Sequence, residues 1–414
     1  MRCAEDRGFW LAHFGLFTTR LWLTMTLLAT LPGCGTLYVM QAAHGQWQVM
    51  HARKPIDKVL TDPNTPQTLR DTLTEVSAAR QFASRELKLP DNRSYRTYAD
   101  VHRSYVVWNV VAAPEFSVHP KQWCFPIVGC VAYRGYFVEK RARAFAADLE
   151  MRGFDVTLDG VPAYSTLGKF ADPVLNTMLP YGPDELAAII FHELAHQLLY
   201  VKNDTQFNEA FATTVENAGL QRWLTLNGHA DRIQRFHKDS TREREYIALF
   251  DRTRAQLARL YASGSPAAEM RVQKAAAFEK LADEIRDLEK RQGLKSTVYD
   301  EWIKEGLNNA RLASEANYYD CVPGFERLLA EQDNDLPRFY AAARELARLP
   351  MAERHEKLCK SPAGPQAVTA GVATPWRSGY FLGIGGFGLT SGVAPFAFGS
   401  SSSQLSRILS AQFL

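Results

Sequence analysis

The sequence predicts an α+β fold that is predominantly helical, and three observations predict it. From Pro183 to Leu358 the chain shows an almost continuous helical pattern, with apolar residues recurring at steps of three and four. Between about residues 105 and 168 it turns to short β-branched and aromatic runs broken by Gly and Pro, the pattern of a small sheet. The whole chain of 414 residues is 46% hydrophobic and 22% charged, which leaves ample material for a large core and excludes wholesale disorder, a collagen-like repeat and a polytopic membrane protein. A net charge of +3 gives no basic footprint, so nucleic acid is not an expected partner.

The N-terminus has Arg20, an apolar stretch from Leu21 to Leu31, and then Leu31-Pro32-Gly33-Cys34. A basic flank, a short apolar run and small residues before a cleavage point form the plan of a secretory leader, and the run is short for a bilayer span. Residues 1–33 are therefore expected to be a signal peptide. The Leu-x-Gly-Cys ending resembles a bacterial lipobox, which implies that Cys34 becomes the lipidated first residue. Gly35 in place of Asp implies the outer membrane, with the protein facing the periplasm. In such an oxidising compartment Cys124 and Cys130, which enclose only Phe125 to Gly129, are placed either for a local disulfide or as two buried thiols.

The elements then follow in order. Thr36–Leu60 reads as helix. Pro66–Leu89 reads as a second, with Leu69, Leu73, Val76, Phe82 and Leu87 along one face, stopped by Pro90-Asp91-Asn92. Tyr105–Val118 reads as strand, interrupted near Pro114; Phe137–Arg152 as helix; Phe154–Leu158 and Val161–Leu167 as short strands. Asp184–Val201 and Gln206–Leu226 are helices joined by a short polar linker. Ala230–Ala262 and Ala267–Arg291 form a long helical hairpin around Ser263 to Pro266, with Phe278, Leu281, Ile285 and Leu288 as its seam. Shorter helices over 297–358 complete the domain expected at 34–359. Residues 360–414 are rich in Gly, Ser, Ala and Pro and nearly uncharged, which predicts a low-complexity, disordered tail.

The chemistry centres on His192-Glu193-Leu194-Ala195-His196. On a helix, positions i and i+4 share a face, so both imidazoles can reach one ion. Zinc suits imidazole nitrogen and keeps an open position in catalytic sites. Glu193 is then placed as the general base. The helix is apolar around most of its circumference, and burying two His and a Glu there is costly without a partner such as a metal. On the next helix comes Asn208-Glu209-Ala210-Phe211-Ala212, which makes Glu209 the natural third ligand. Glu216, seven residues on, is placed to hydrogen-bond the outer nitrogen of a liganding histidine, with Asn208 a further supporting residue.

HELAHQ followed by NEAFATTVE resembles the zinc core of gluzincin peptidases, closest to the aminopeptidase-N type. The resemblance implies zinc on His192, His196 and Glu209, and Glu193 as base. Since a Tyr or His stabilises the oxyanion in gluzincins, it makes Tyr318 and Tyr319 the candidates for that role. The chain has no GAMEN-type strand to hold a substrate amine. A broader set resembles the bacterial family named putative aminopeptidase lipoproteins, over roughly residues 34–358: QAAHGQ (41–46), WCFPIVGCVAYRGYF (123–137), AYSTLG (163–168) with Asp172-Pro173, HELAHQ, NEAFA, NNARL, Tyr319 and Val322-Pro323-x-Phe325. The expected function is therefore a zinc metallopeptidase of aminopeptidase type acting on peptides, held to the membrane by lipid. The alternatives are an envelope quality-control endopeptidase and a non-catalytic metal-binding scaffold. An intact Glu193 argues against the scaffold, because a structural metal site has no use for a base. AYSTLG also reads as an edge strand along which a peptide could lie.

Overall fold

The computed structural model describes residues 33–125, 129–294, 297–359 and 411–412. The expected leader, save its last residue, and nearly all of the expected tail lie outside the described residues. Cys34 falls in the first turn of helix α1 (Gly33–His51).

The helix read as Thr36–Leu60 stops at His51. Pro55 has no N–H to donate and pushes the preceding residue out of helical space. Arg53–Pro55 is extended instead (β1), and a short helix, α2 (Ile56–Thr61), follows. The QAAHGQ motif pins α1 to the sheet region. Gln41 Nε2 donates to the Gly135 carbonyl at 3.3 Å, and Gln41 Oε1 accepts from the Phe137 N–H at 3.2 Å. The Tyr164 hydroxyl donates to Gln46 Oε1. A β-carbon at Gly45 would fall 2.0 Å from the Phe137 ring, so glycine is required for the helix to lie there. Helix α3 (Gln67–Arg85) buries Leu73, Val76, Ala79 and Phe82, close to the face its periodicity predicts.

The main sheet is antiparallel with strand order β6-β3-β7, where β3 is Val107–Pro114, β6 Tyr133–Tyr136 and β7 Phe154–Val161. Helix α4 (Glu139–Met151) packs on it. Strands β4 (Trp123–Phe125) and β5 (Gly129–Val131) pair with Cys124 opposite Cys130, and the two are joined in a disulfide. A second three-stranded sheet has the order β1-β2-β9, from β1, β2 (Thr97–Ala99) and β9 (Val174–Leu175). Strand β8 (Tyr164–Ser165) pairs in parallel with β10 (Ala411–Gln412). The one small sheet expected over 105–168 is thus divided. Strands of two or three residues are too short to carry a period, and side chains such as Gln46 and Asp172 hold them in place.

From Pro183 the described chain is helical: α5 (Pro183–Leu198), α6 (Thr205–Leu226), α7 (Ala230–Tyr261), α8 (Ala267–Gln292), α9 (Val298–Glu305), α10 (Asn309–Tyr319), α11 (Val322–Glu331), α12 (Leu336–Ala347) and α13 (Met351–Leu358). Helices α7 and α8 form the expected hairpin and share a separate core of Tyr246, Phe250, Leu257, Phe278, Leu281 and Ile285. The NNARL motif fastens α10 to the sheet: Asn309 Nδ2 donates to the Glu115 carbonyl at 2.8 Å, and Arg311 Nη1 to Asp159 Oδ1 at 2.8 Å. No described helix is long and apolar enough to cross a membrane.

The C-terminal helices are tied back to the start of α6. A second disulfide, Cys321–Cys359, joins the two ends of the α11–α13 segment. Next to it Arg354 Nε and Nη2 reach Asp204 Oδ2 at 2.8 and 2.7 Å, and His355 Nε2 lies 2.8 Å from Asp204 Oδ1. Asp204 is also the N-cap of α6, accepting from the Phe207 N–H at 3.1 Å. Burial alone would raise the Asp204 pKa, but His355, the Phe207 N–H and Arg354 together hold it below the usual range. Its contribution is therefore full above the unfolded-state value, about 4, and is lost as pH falls through the lower folded value. Removing one partner leaves the buried Arg354 uncompensated. Asp204→Ala is expected to lose about 3–5 kcal/mol of stability at neutral pH. Urea unfolding at pH 7 measures it, and the difference from the parent should shrink on acidification.

Candidate metal centre and active site

Helix α5 opens with Pro183, whose missing N–H costs nothing at the first helical position. Every residue from Leu186 to His196 is buried, so the apolar character read around the helix has a direct cause: it runs through the core. Helix α6 returns along it. The two approach closely at Gly219, where a β-carbon would meet Phe191 Cδ2 at 2.9 Å and Leu87 Cδ1 at 2.7 Å.

This packing brings four of the expected residues together. His192 Nε2 and His196 Nε2 are 3.1 Å apart, and Glu209 Oε2 lies 3.4 Å from the first and 3.6 Å from the second. Glu216 Oε2 lies 2.9 Å from His192 Nδ1. These spacings decide whether a metal ion fits. Around a tetrahedral ion with bonds of about 2.0–2.2 Å, neighbouring donors are about 3.3–3.5 Å apart. The three ligand atoms already have that spacing to within a few tenths of an ångström, so the His-His-Glu group could hold a metal ion. Glu216 on the Nδ1 side fixes the ring so that Nε2 faces the other donors.

The electrostatics match the geometry. Burial alone would lower the His192 pKa, but Glu209 and Glu216 overcome it and push the value up to about 10. Glu209 is the reverse: burial opposes its charge, yet His196 and His192 bring it down to about 2. His196 is lowered, with burial the largest cause. Without an ion, the site thus gathers one cationic imidazole, His192, and one anionic carboxylate, Glu209, where a divalent cation would sit. A metal must displace that proton, so binding strengthens as pH rises.

Glu193 is fully buried. Burial pushes its carboxyl up to about 8; Glu209 and Asp172 add to this, while His192 and the Ser165 hydroxyl oppose it. Among the described residues neither Glu193 oxygen has a hydrogen-bond partner of good geometry. Asp172, itself raised to about 6 by burial against two bonds from Thr166, holds the turn after β8 in place.

The other expected residues are placed differently. Asn208 does not support a ligand: its amide is occupied by Val201, accepting from the N–H and donating to the carbonyl at 2.8 Å each, and so shapes the turn between α5 and α6. Tyr318 and Tyr319 lie on the last turn of α10, and their side chains are outside the described residues. Three residues that interact with Glu193 were not singled out as site residues in the sequence: Tyr95, Ser165 and Asp172. The last two sit in motifs that carried the resemblance. Tyr95 has no sequence signal, because a loop with an unusual backbone angle positions it. A cavity of about 230 Å³ lies on the Glu216 side, lined by Thr213, Glu216, Phe236, Arg244 and Glu326.

Residues 37–358 match a family model described as "Putative aminopeptidase". No curated protein and no solved structure matches the chain.

Proposed function

Because the chain belongs to the family described as "Putative aminopeptidase", we propose that it is a zinc-dependent peptidase that hydrolyses peptide bonds from a free amino terminus. The observation that carries this reading is the convergence of His192, His196 and Glu209 at tetrahedral spacing with a buried carboxylate, Glu193, from the same helix. Zinc in that group would supply Lewis acidity, polarising the scissile carbonyl and making water nucleophilic near neutral pH.

The remaining chemistry belongs to the chain's own residues. Glu193 takes a proton from the attacking water and returns it to the leaving nitrogen. Glu216 accepts from His192 Nδ1–H and keeps the imidazole neutral at Nε2. The buried helices exclude bulk water, which strengthens these interactions.

We further propose that the chain is exported and anchored to the envelope by lipid on Cys34. The lipobox-like ending supports export, and so do the two disulfides, which persist in an oxidising compartment.

The test uses protein loaded with zinc and two reporters, an alanyl coumarylamide and its N-acetylated form. Cleavage of the free-amine reporter alone, lost with a chelator and restored by zinc, is the expected result. Cleavage of N-blocked peptides instead would make it an endopeptidase. If zinc binds at one equivalent and neither reporter nor a denatured protein substrate is cut, the peptidase reading fails.

A further inference from the structure

Tyr95 stands out because three separate features meet there. Its backbone is left-handed, with φ 61°, a conformation that a bulky residue adopts only where its surroundings impose it. Its ring is buried at 2% exposure. Its hydroxyl has no hydrogen-bond partner among the described residues. A buried donor without an acceptor is rare enough in native structures to need a reason.

The loop is held from three sides. From behind, Arg80 Nε donates to the Ser94 carbonyl at 2.9 Å, and its Nη2 to the carbonyls of Pro90 and Asn92 at 3.0 and 3.1 Å. From the side, the Tyr95 N–H donates to the Asp172 carbonyl at 2.6 Å. In front is Gln197, the residue after His196 on α5: it accepts from Asn92 Nδ2 at 2.7 Å and donates to Ser94 Oγ at 3.3 Å. The loop is thus clamped to the helix that carries the base. The phenol lies within electrostatic reach of Glu193, and burial, Glu193 and Asp172 together keep it protonated far above the usual range. An obligate donor therefore stands within electrostatic reach of an acceptor, Glu193, whose oxygens have no hydrogen-bond partner of good geometry among the described residues. Peptide hydrolysis needs such a pair: an acceptor for the proton of water, and a donor where the carbonyl oxygen gains charge.

Building on the peptidase reading, we propose that Tyr95 is a catalytic residue whose hydroxyl donates a hydrogen bond to the scissile carbonyl oxygen as it becomes an oxyanion. Water adds through its oxygen to the carbonyl carbon, the C=O pair moves onto oxygen, and Glu193 takes the proton of water. Tyr95 holds the oxyanion and keeps its own proton. The carbonyl then re-forms, the C–N bond breaks, and the proton on Glu193 goes to the departing nitrogen, giving a carboxylic acid and an amine.

The test is Tyr95→Phe in the zinc-loaded chain, beside the parent, Glu193→Gln, and Tyr98→Phe as a control from the neighbouring strand. Substrate is whichever of the two coumarylamide reporters the parent cuts. We expect Tyr95→Phe to lower kcat by about 100- to 1,000-fold with KM little changed. Zinc content and the thermal midpoint should stay at the parent's values, and Tyr98→Phe should keep its kcat. Tyr95→Phe retaining kcat while Glu193→Gln loses it overturns the proposal and leaves the peptidase reading intact. Loss of zinc or of the thermal midpoint along with activity would make Tyr95 structural and also overturns it. A zinc-bound parent that cuts neither reporter nor denatured protein removes both readings together.

Discussion

Glu193→Gln is expected to keep the metal and lose the chemistry. The amide has nearly the shape of the carboxylate, and Glu193 is not among the residues whose donor atoms converge at the candidate metal group. It cannot take the proton of water. On the proposed mechanism kcat falls by about 100- to 10,000-fold, the range general-base catalysis supplies, with KM little changed. Folding should not suffer. A carboxyl pushed up to about 8 by burial resists ionisation in the fold, so a neutral side chain of the same size relieves that cost. The measurement pairs steady-state rates with metal content by elemental mass spectrometry. Unchanged kcat with full metal would remove Glu193 from the reaction.

Glu209→Ala has the opposite signature. It removes one of the three candidate ligands from a group whose imidazoles are 3.1 Å apart. Without the carboxylate that charge-balances the site, His192 still has Glu216 2.9 Å from its Nδ1. Metal occupancy is expected to fall to a small fraction of the parent's under dialysis, and activity with it. Excess zinc should restore only part of either. Glu209→Asp separates charge from reach: it keeps the anion but shortens the side chain, so occupancy should fall between the two. Full occupancy in Glu209→Ala would refute the ligand assignment.

The HELAH and NEAFA pairing was legible because its geometry is local. Two residues four apart on a helix share a face whatever surrounds them, and a short linker leaves the next helix little choice but to return alongside. The long hairpin was legible for a related reason, since the seam from Phe278 to Leu288 repeats often enough to declare its period. The Cys321–Cys359 bond was not read, although once Cys124 and Cys130 are paired these two are the remaining cysteines after Cys34. Their separation along the chain hides what three intervening helices bring together. Tyr95 is hidden more deeply. Its position depends on Arg80, Asp172 and Gln197, each from a different part of the chain, and no pattern around Tyr95 announces it. Asn208 misled in the other direction: its place beside Glu209 suggested a role at the metal, whereas its amide serves the turn.

The Cys321–Cys359 bond also determines where the chain can be shortened. Its cysteines are 38 positions apart, and closing a ring of that size removes about 4 kcal/mol of disorder from the unfolded chain. A stop codon directly after Cys359 leaves the ring whole. Moving it one residue earlier, to Leu358, retains every helix from α1 to α13 and yet deletes the cysteine that closes the ring. Helix α13 then loses its covalent tie and is held by packing and by the bonds of Arg354 and His355 to Asp204. Two recombinant forms differing by a single residue would thus differ in protease resistance and in sensitivity to reductant.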